Sequence, residues 1–132
     1  MKFILVGFIS AYLALSALPV YAGSVSANLQ WDANVEQDLA GYKVYRGQIN
    51  CNQQGPLQPL TDLFGTQITV AAPATKYTDN SVPAVDGDVC YEITAYDTGG
   101  LQSGHSNRAT KYINVNPPNV PTGLTVDVQA TP

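Results

Sequence analysis

Residues 88–97 read DVCYEITAYD: Val89, Tyr91, Ile93 and Ala95 fall on one parity, with Cys90, Glu92 and Thr94 on the other. That is the period of a β-strand, carried by β-branched and aromatic residues that suit a pleated surface. A helix of this length would place Val89 and Tyr91 on different faces, so the stretch predicts a strand with one apolar side. Working outward, the turn "DTGG" and a polar loop separate it from "RATKYINV" (108–115), a further strand. Upstream lie "TKYTD" (75–79), "TQITV" (66–70), "YKVYRG" (42–47) and "SVSANLQW" (24–31). In the last of these, Val25, Ala27, Leu29 and Trp31 alternate with Ser26, Asn28 and Gln30. The segment "DANVEQDLAG" (32–41) reads as a polar turn. From Gln48 to Leu63 the pattern weakens into a long loop with room for one irregular strand, tethered through Cys51. No stretch carries an amphipathic helical pattern, and no internal repeat is present. Many short strands with frequent turn signals predict an all-β sandwich.

The N-terminus, MKFILVGFISAYLALSALPVYA, has one early charge at Lys2, an apolar run, and the small-residue pattern Val20-Tyr21-Ala22. This reads as a signal peptide over residues 1–22, with the mature protein starting at Gly23. The strongly apolar part, Phe3 to Leu18, is shorter than the roughly 20 residues of a membrane span. The expectation is therefore a secreted or cell-surface protein with no membrane span after processing. About 110 residues remain, one small domain's worth of chain. Apart from Lys2 the basic residues are Lys43, Arg46, Lys76, Arg108 and Lys111, against 10 acidic residues, with no basic cluster. This argues against nucleic acid as a partner.

Cys51 and Cys90 are the only 2 cysteines. In an oxidising compartment such a pair forms a disulfide; closing a loop of roughly 40 residues stabilises by about 3–4 kcal/mol in the chain-entropy account. A zinc site or a thiol nucleophile is the alternative, but the chain has 1 histidine, His105, too few for a zinc ligand set.

Two longer stretches, LQWDANVEQDLAGYKVYRG (29–47) and ATKYTDNSVPAVDGDVCYEITAYDTGGLQSGHSN (74–107), resemble a bacterial fibronectin type III domain, over residues 25–114. The resemblance implies a fibronectin type III-like (immunoglobulin-like) β-sandwich over residues 23–114. Trp31 would be the core tryptophan of the second strand, Tyr42 and Val44 the inward pair of the third, and Tyr77, Tyr91 and Ile93 further core positions. Val89 stands where the family commonly has a tyrosine, so a hydroxyl anchor is lost there, and the Cys51–Cys90 bridge would pin the same strand instead. The family serves mostly as spacer, adhesion or interaction module, which argues against an enzyme.

The resemblance also leaves a strand out of place. A fibronectin type III domain opens with a proline-led strand, whereas here Gly23 leads almost directly into the tryptophan strand. The C-terminal stretch VPTGLTVDVQATP (120–132) resembles that opening strand, with Leu124, Val126 and Val128 alternating with Thr125, Asp127 and Gln129. Residues 115–119 form the linker to it. Re-entering its own domain in the family's polarity requires crossing about 23 Å, whereas that linker reaches about 17 Å. Donation to the next molecule is then the expectation: Leu124, Val126 and Val128 would enter a groove lined by Val25, Leu29 and Trp31. An intramolecular strand and an unpaired tail are the alternatives. A head-to-tail contact of this kind does not close and builds a fibre.

Other groupings carry less. His105, between Ser103 and Ser106, lacks the orienting third group of a triad. Asp32, Glu36 and Asp38, and Asp86 with Asp88, offer oxygens to calcium, but turn chemistry explains both. Tyr45, Tyr96 and Tyr112 fall on outward positions, as a sugar-stacking strip or as ordinary cross-strand packing. No cofactor, metal or catalytic residue is expected. The function expected is a non-enzymatic subunit of a surface filament that binds copies of itself. The alternative is a monomeric secreted adhesion module for glycan or protein.

Overall fold

The computed structural model describes residues 23–131; the expected signal peptide, 1–22, lies outside the described residues, as does Pro132. The described residues form seven strands: β1 (Val25–Gln30), β2 (Leu39–Arg46), β3 (Gln58–Pro59), β4 (Thr69–Ala71), β5 (Lys76–Val82), β6 (Gly87–Asp97) and β7 (Ala109–Ile113). One short 3-10 turn spans Cys51–Gln53.

The strand read first, β6, is the spine. It pairs antiparallel with β2 on one side and β7 on the other. The far edge of β2 is shared, β3 taking Tyr45 and Arg46 while β4 takes Gly41 to Lys43. Opposite this five-stranded sheet, β1 and β5 form a two-stranded one. Tyr42, Val44, Leu60, Val70, Val89 and Tyr91 fill the space between, with Val82 and Ile113 closing one end. The architecture is an all-β, sandwich-like one.

The strand limits differ from the sequence reading where tertiary partners compete with turn chemistry. β2 starts at Leu39, because Leu39 pairs with Asp97 and Gly41 with both Tyr96 and Ala71. β5 continues past Asp79 to Val82, which pairs with Val25. Of the expected donor strand, 120–132, the described part, 120–131, is not a strand: it finds no ladder partner among the described residues.

A second, smaller core lies on the outer face of the larger sheet, where Tyr45, Cys51, Leu57 and Cys90 pack together. The Cys51–Cys90 disulfide is formed. It holds the 47–57 loop against β6, and Gly47 allows the close approach, since a Cβ there would lie 2.5 Å from the Cys51 Cβ. Arg108 fastens the same loop by donating to the carbonyls of Cys51, Gln54 and Gly55 at 3.2, 2.9 and 2.8 Å. Both cysteines are fully buried. We therefore expect reduction to cost about 3 kcal/mol of stability, the lower end of the loop-closure value because Arg108 still holds the loop. Urea unfolding with and without a strong reductant measures it, and coincident curves would show that the bridge contributes nothing.

Candidate functional site

The inward side chains of β1, Val25, Ala27 and Leu29, together with Trp31 just past its end, pack against the core but remain only half-buried. Core positions on β2 and β6 such as Val44 and Val89 are buried, so the difference belongs to the flank of β1. There an open groove of about 940 Å³ runs between β1 and the β6–β7 edge, with Val89, Tyr91, Ile93 and Ile113 in its lining. Among the described residues β1 pairs with β5 alone, leaving its other edge of N–H and C=O groups free. Trp31 meets Tyr42 edge-on, ring centroids 5.2 Å apart. Its indole N–H is buried without an acceptor among the described residues.

The three residues expected to fill such a groove lie away from it: Leu124, Val126 and Val128 are 96%, 86% and 85% exposed. Gly123, which precedes them, has φ 74°, in the left-handed region that a side chain disfavours. The chain is fastened until just before Pro117. Ile113 closes the ladder opposite Gly87; beyond it Val115 N–H donates to Asp86 Oδ1 at 2.8 Å, and the Asn116 amide donates to Asp86 Oδ2.

Strand directions fix how groove and tail relate. Pairing places the start of β1, the end of β5, the start of β6 and the end of β7 at one pole of the sandwich. The tail therefore leaves the domain at the Val25 pole. A strand antiparallel to β1 must enter at the opposite pole, by Trp31.

Of the other core residues named from sequence, Tyr42, Val44 and Tyr91 are buried, whereas Tyr77 and Ile93 are half-buried beside the groove and the thin sheet. The tyrosine strip does not form. Tyr45 is buried beneath His105, with ring centroids 4.4 Å apart, and accepts a hydrogen bond from Gln102 at 2.7 Å. Tyr96 carries the Lys43 ammonium 5.5 Å from its ring centre, and Tyr112 stands exposed on β7. His105 is more than a loop residue: its Nδ1 lies 2.9 Å from Glu92 Oε2, while Arg108 Nε donates to Glu92 Oε1 at 2.8 Å. No group of three or more His, Cys, Asp or Glu residues among the described residues is arranged to hold a metal. Nor is any described helix long and apolar enough to cross a membrane.

The sequence reading missed one buried network. Asp79 is 1% exposed and accepts from Arg46 at 2.7 Å, from the Tyr91 hydroxyl at 2.8 Å, and from Ser81 through both backbone and hydroxyl at 2.8 and 2.6 Å. It bridges the two sheets. Burial pushes its carboxyl up, but the donors Ser81, Tyr91 and Arg46 outweigh that and hold it below the ordinary carboxylate value. Burial, and then the neighbouring Asp79 carboxylate, push the Tyr91 phenol far above its usual range, so it stays a donor. The signal was in the sequence, since Asp79 shares the inward parity of Tyr77 in "TKYTD".

No protein-family model matches this chain, and no curated protein or solved structure matches it either. Its class is therefore defined by its own geometry: an all-β, sandwich-like domain with a disulfide-pinned loop and an uncovered strand edge.

Proposed function

We propose that the protein is a fibronectin type III-like, non-enzymatic structural subunit that assembles head to tail outside the cell, each copy donating its C-terminal segment to the next. The observation that carries this reading is a complementarity within one molecule. The inward face of β1 is half-buried along an open groove, while a segment of matching alternation and length is exposed. Seating Leu124, Val126 and Val128 beside Val25, Leu29 and Trp31 would return on the order of 5 kcal/mol before ordering costs. Main-chain hydrogen bonds would cover the free edge of β1. Polarity agrees: a tail leaving at the Val25 pole meets the Trp31 pole of a copy stacked beyond it, and runs antiparallel to that copy's β1. The formed disulfide is compatible with an extracellular location.

Size-exclusion chromatography of the mature protein with and without residues 120–132 tests the proposal. Large assemblies are expected from the full-length protein and monomer from the truncated one; monomer from both at high concentration would overturn it.

One observation favours the second reading, a monomeric adhesion module. Residues 61–67 form a tight hairpin on the outer flank of β2, held by Asp62 Oδ1, which accepts from the N–H groups of Phe64 and Thr66 at 2.8 and 2.9 Å. Its tip presents Leu63 and Phe64, 100% and 91% exposed, in the manner of an apolar anchor for a protein partner. In the chromatography experiment this reading gives monomer throughout.

A further inference from the structure

Resting on the strand-donation reading, we infer that Asp86 is a positioning residue that keeps the donor segment out of its own groove and directs it to a neighbour. A tail and a groove on one chain face a competition, because self-insertion is intramolecular and favoured by effective concentration whenever the linker permits it. The 115–119 linker is too short for the crossing as it stands, so what must be opposed is release of the chain that precedes and anchors it.

The structure supplies that opposition at the end of β7. The ladder between β6 and β7 stops at Gly87 and Ile113. Yet the chain is held for another two or three residues, because the Asp86 carboxylate takes over from the main chain. One oxygen accepts from Val115 N–H at 2.8 Å and the other from the Asn116 side-chain amide. Asn116 N–H in turn donates to Asn114 Oδ1 at 3.1 Å, and Val115 packs against the core. Residues 114–116 are thus pinned beside Asp86, with the Asn114–Asn116 contact closing an Asx turn, and lend no length to a crossing. Pro117 and Pro118 follow directly; each restricts the residue before it to extended conformations, so the first free stretch is stiff. The free chain thus starts only at Pro117, too late to reach the Trp31 pole of its own β1, while a copy stacked beyond the Val25 pole would present its Trp31 pole nearby.

Asp86 sits in the β5–β6 loop and touches neither the groove lining nor the donor residues. Its proposed effect is therefore on the choice between self-insertion and assembly. The Asp86→Ala variant of the full mature chain, run in sedimentation velocity beside the parent, should show a monomer share raised about tenfold as the tail's effective concentration at its own groove rises. That monomer should melt cooperatively and refuse a labelled peptide of residues 119–132, its groove being filled by its own tail. Asp86→Asn, which keeps an acceptor for Val115 N–H, should fall between the two. Replacing Pro117 and Pro118 with glycine should act in the same direction as Asp86→Ala by loosening the next segment, and it remains informative if Asp86→Ala fails to fold.

The full-length Val126→Asp variant, whose tail is unsuited to any groove, separates strand donation from the positioning role of Asp86. If it does not take up the peptide, strand donation is wrong and the role of Asp86 falls with it. If it does take up the peptide, while the Asp86→Ala and proline variants assemble like the parent or yield monomers that still bind peptide, donation stands and the positioning role is wrong.

Discussion

Val126→Asp should leave the mature protein monomeric at concentrations where the parent forms assemblies. The central donor position is the one whose side chain would be enclosed on both sides, between Leu124 and Val128 on its own strand and against the inward face of a neighbour's β1. A carboxylate there would be buried without a partner: Arg46, which faces the sandwich interior, is already engaged by Asp79. Desolvating an unpaired charge costs several kcal/mol, and a loss of about 4 kcal/mol lowers an association constant roughly a thousandfold. The fold itself should be indifferent, since Val126 is 86% exposed in the single molecule. Asp127→Asn, on the outward parity, should assemble like the parent. Light scattering of the three proteins at matched concentration reads the outcome; equal assembly by Val126→Asp, or equal loss in Asp127→Asn, would show that side-chain parity has no part in the contact.

Asp79→Ala should destabilise the domain by about 3 kcal/mol, the lower end of the range for breaking a buried pair, because the Arg46 side chain keeps some contact with water. The change strands donors from Arg46, Tyr91 and Ser81 at once, and it unties the thin β1–β5 sheet from the thicker one. The same network sets an acid limit. The Asp79 carboxyl titrates lower in the folded protein than its ordinary value of 3.8. Its contribution is thus fully present above about pH 4 and is lost as pH falls through the lower folded value. Urea midpoints of the parent should therefore decline below pH 4, with a smaller decline in Asp79→Ala. Parallel pH profiles for the two proteins would remove Asp79 as the cause.

Much of this molecule was legible in the chain. Alternation in DVCYEITAYD and SVSANLQW specified strands and their inward sides, because side-chain parity in a strand is a local property of the backbone. The cysteine pair specified its own bridge, since no other partner existed. By contrast, β2 gained Leu39 to Gly41 from a stretch rich in turn residues, because Asp97, Tyr96 and Ala71 pair with it; such ladder bonds come from residues remote in sequence. The burial of Tyr45 likewise depends on His105 and the disulfide-pinned loop, which converge only after folding.

The functional elements divide along the same line. The sequence by itself determined that the last residues carry an apolar alternation and that β1 carries its complement. Only the tertiary structure decided that the flank of β1 is left open, that the tail leaves at the Val25 pole, and that Asp86 extends the hold on it as far as Asn116. Those facts depend on which strands lie side by side and in which direction they run, and no local pattern encodes strand order; it follows from long-range pairing around a common core.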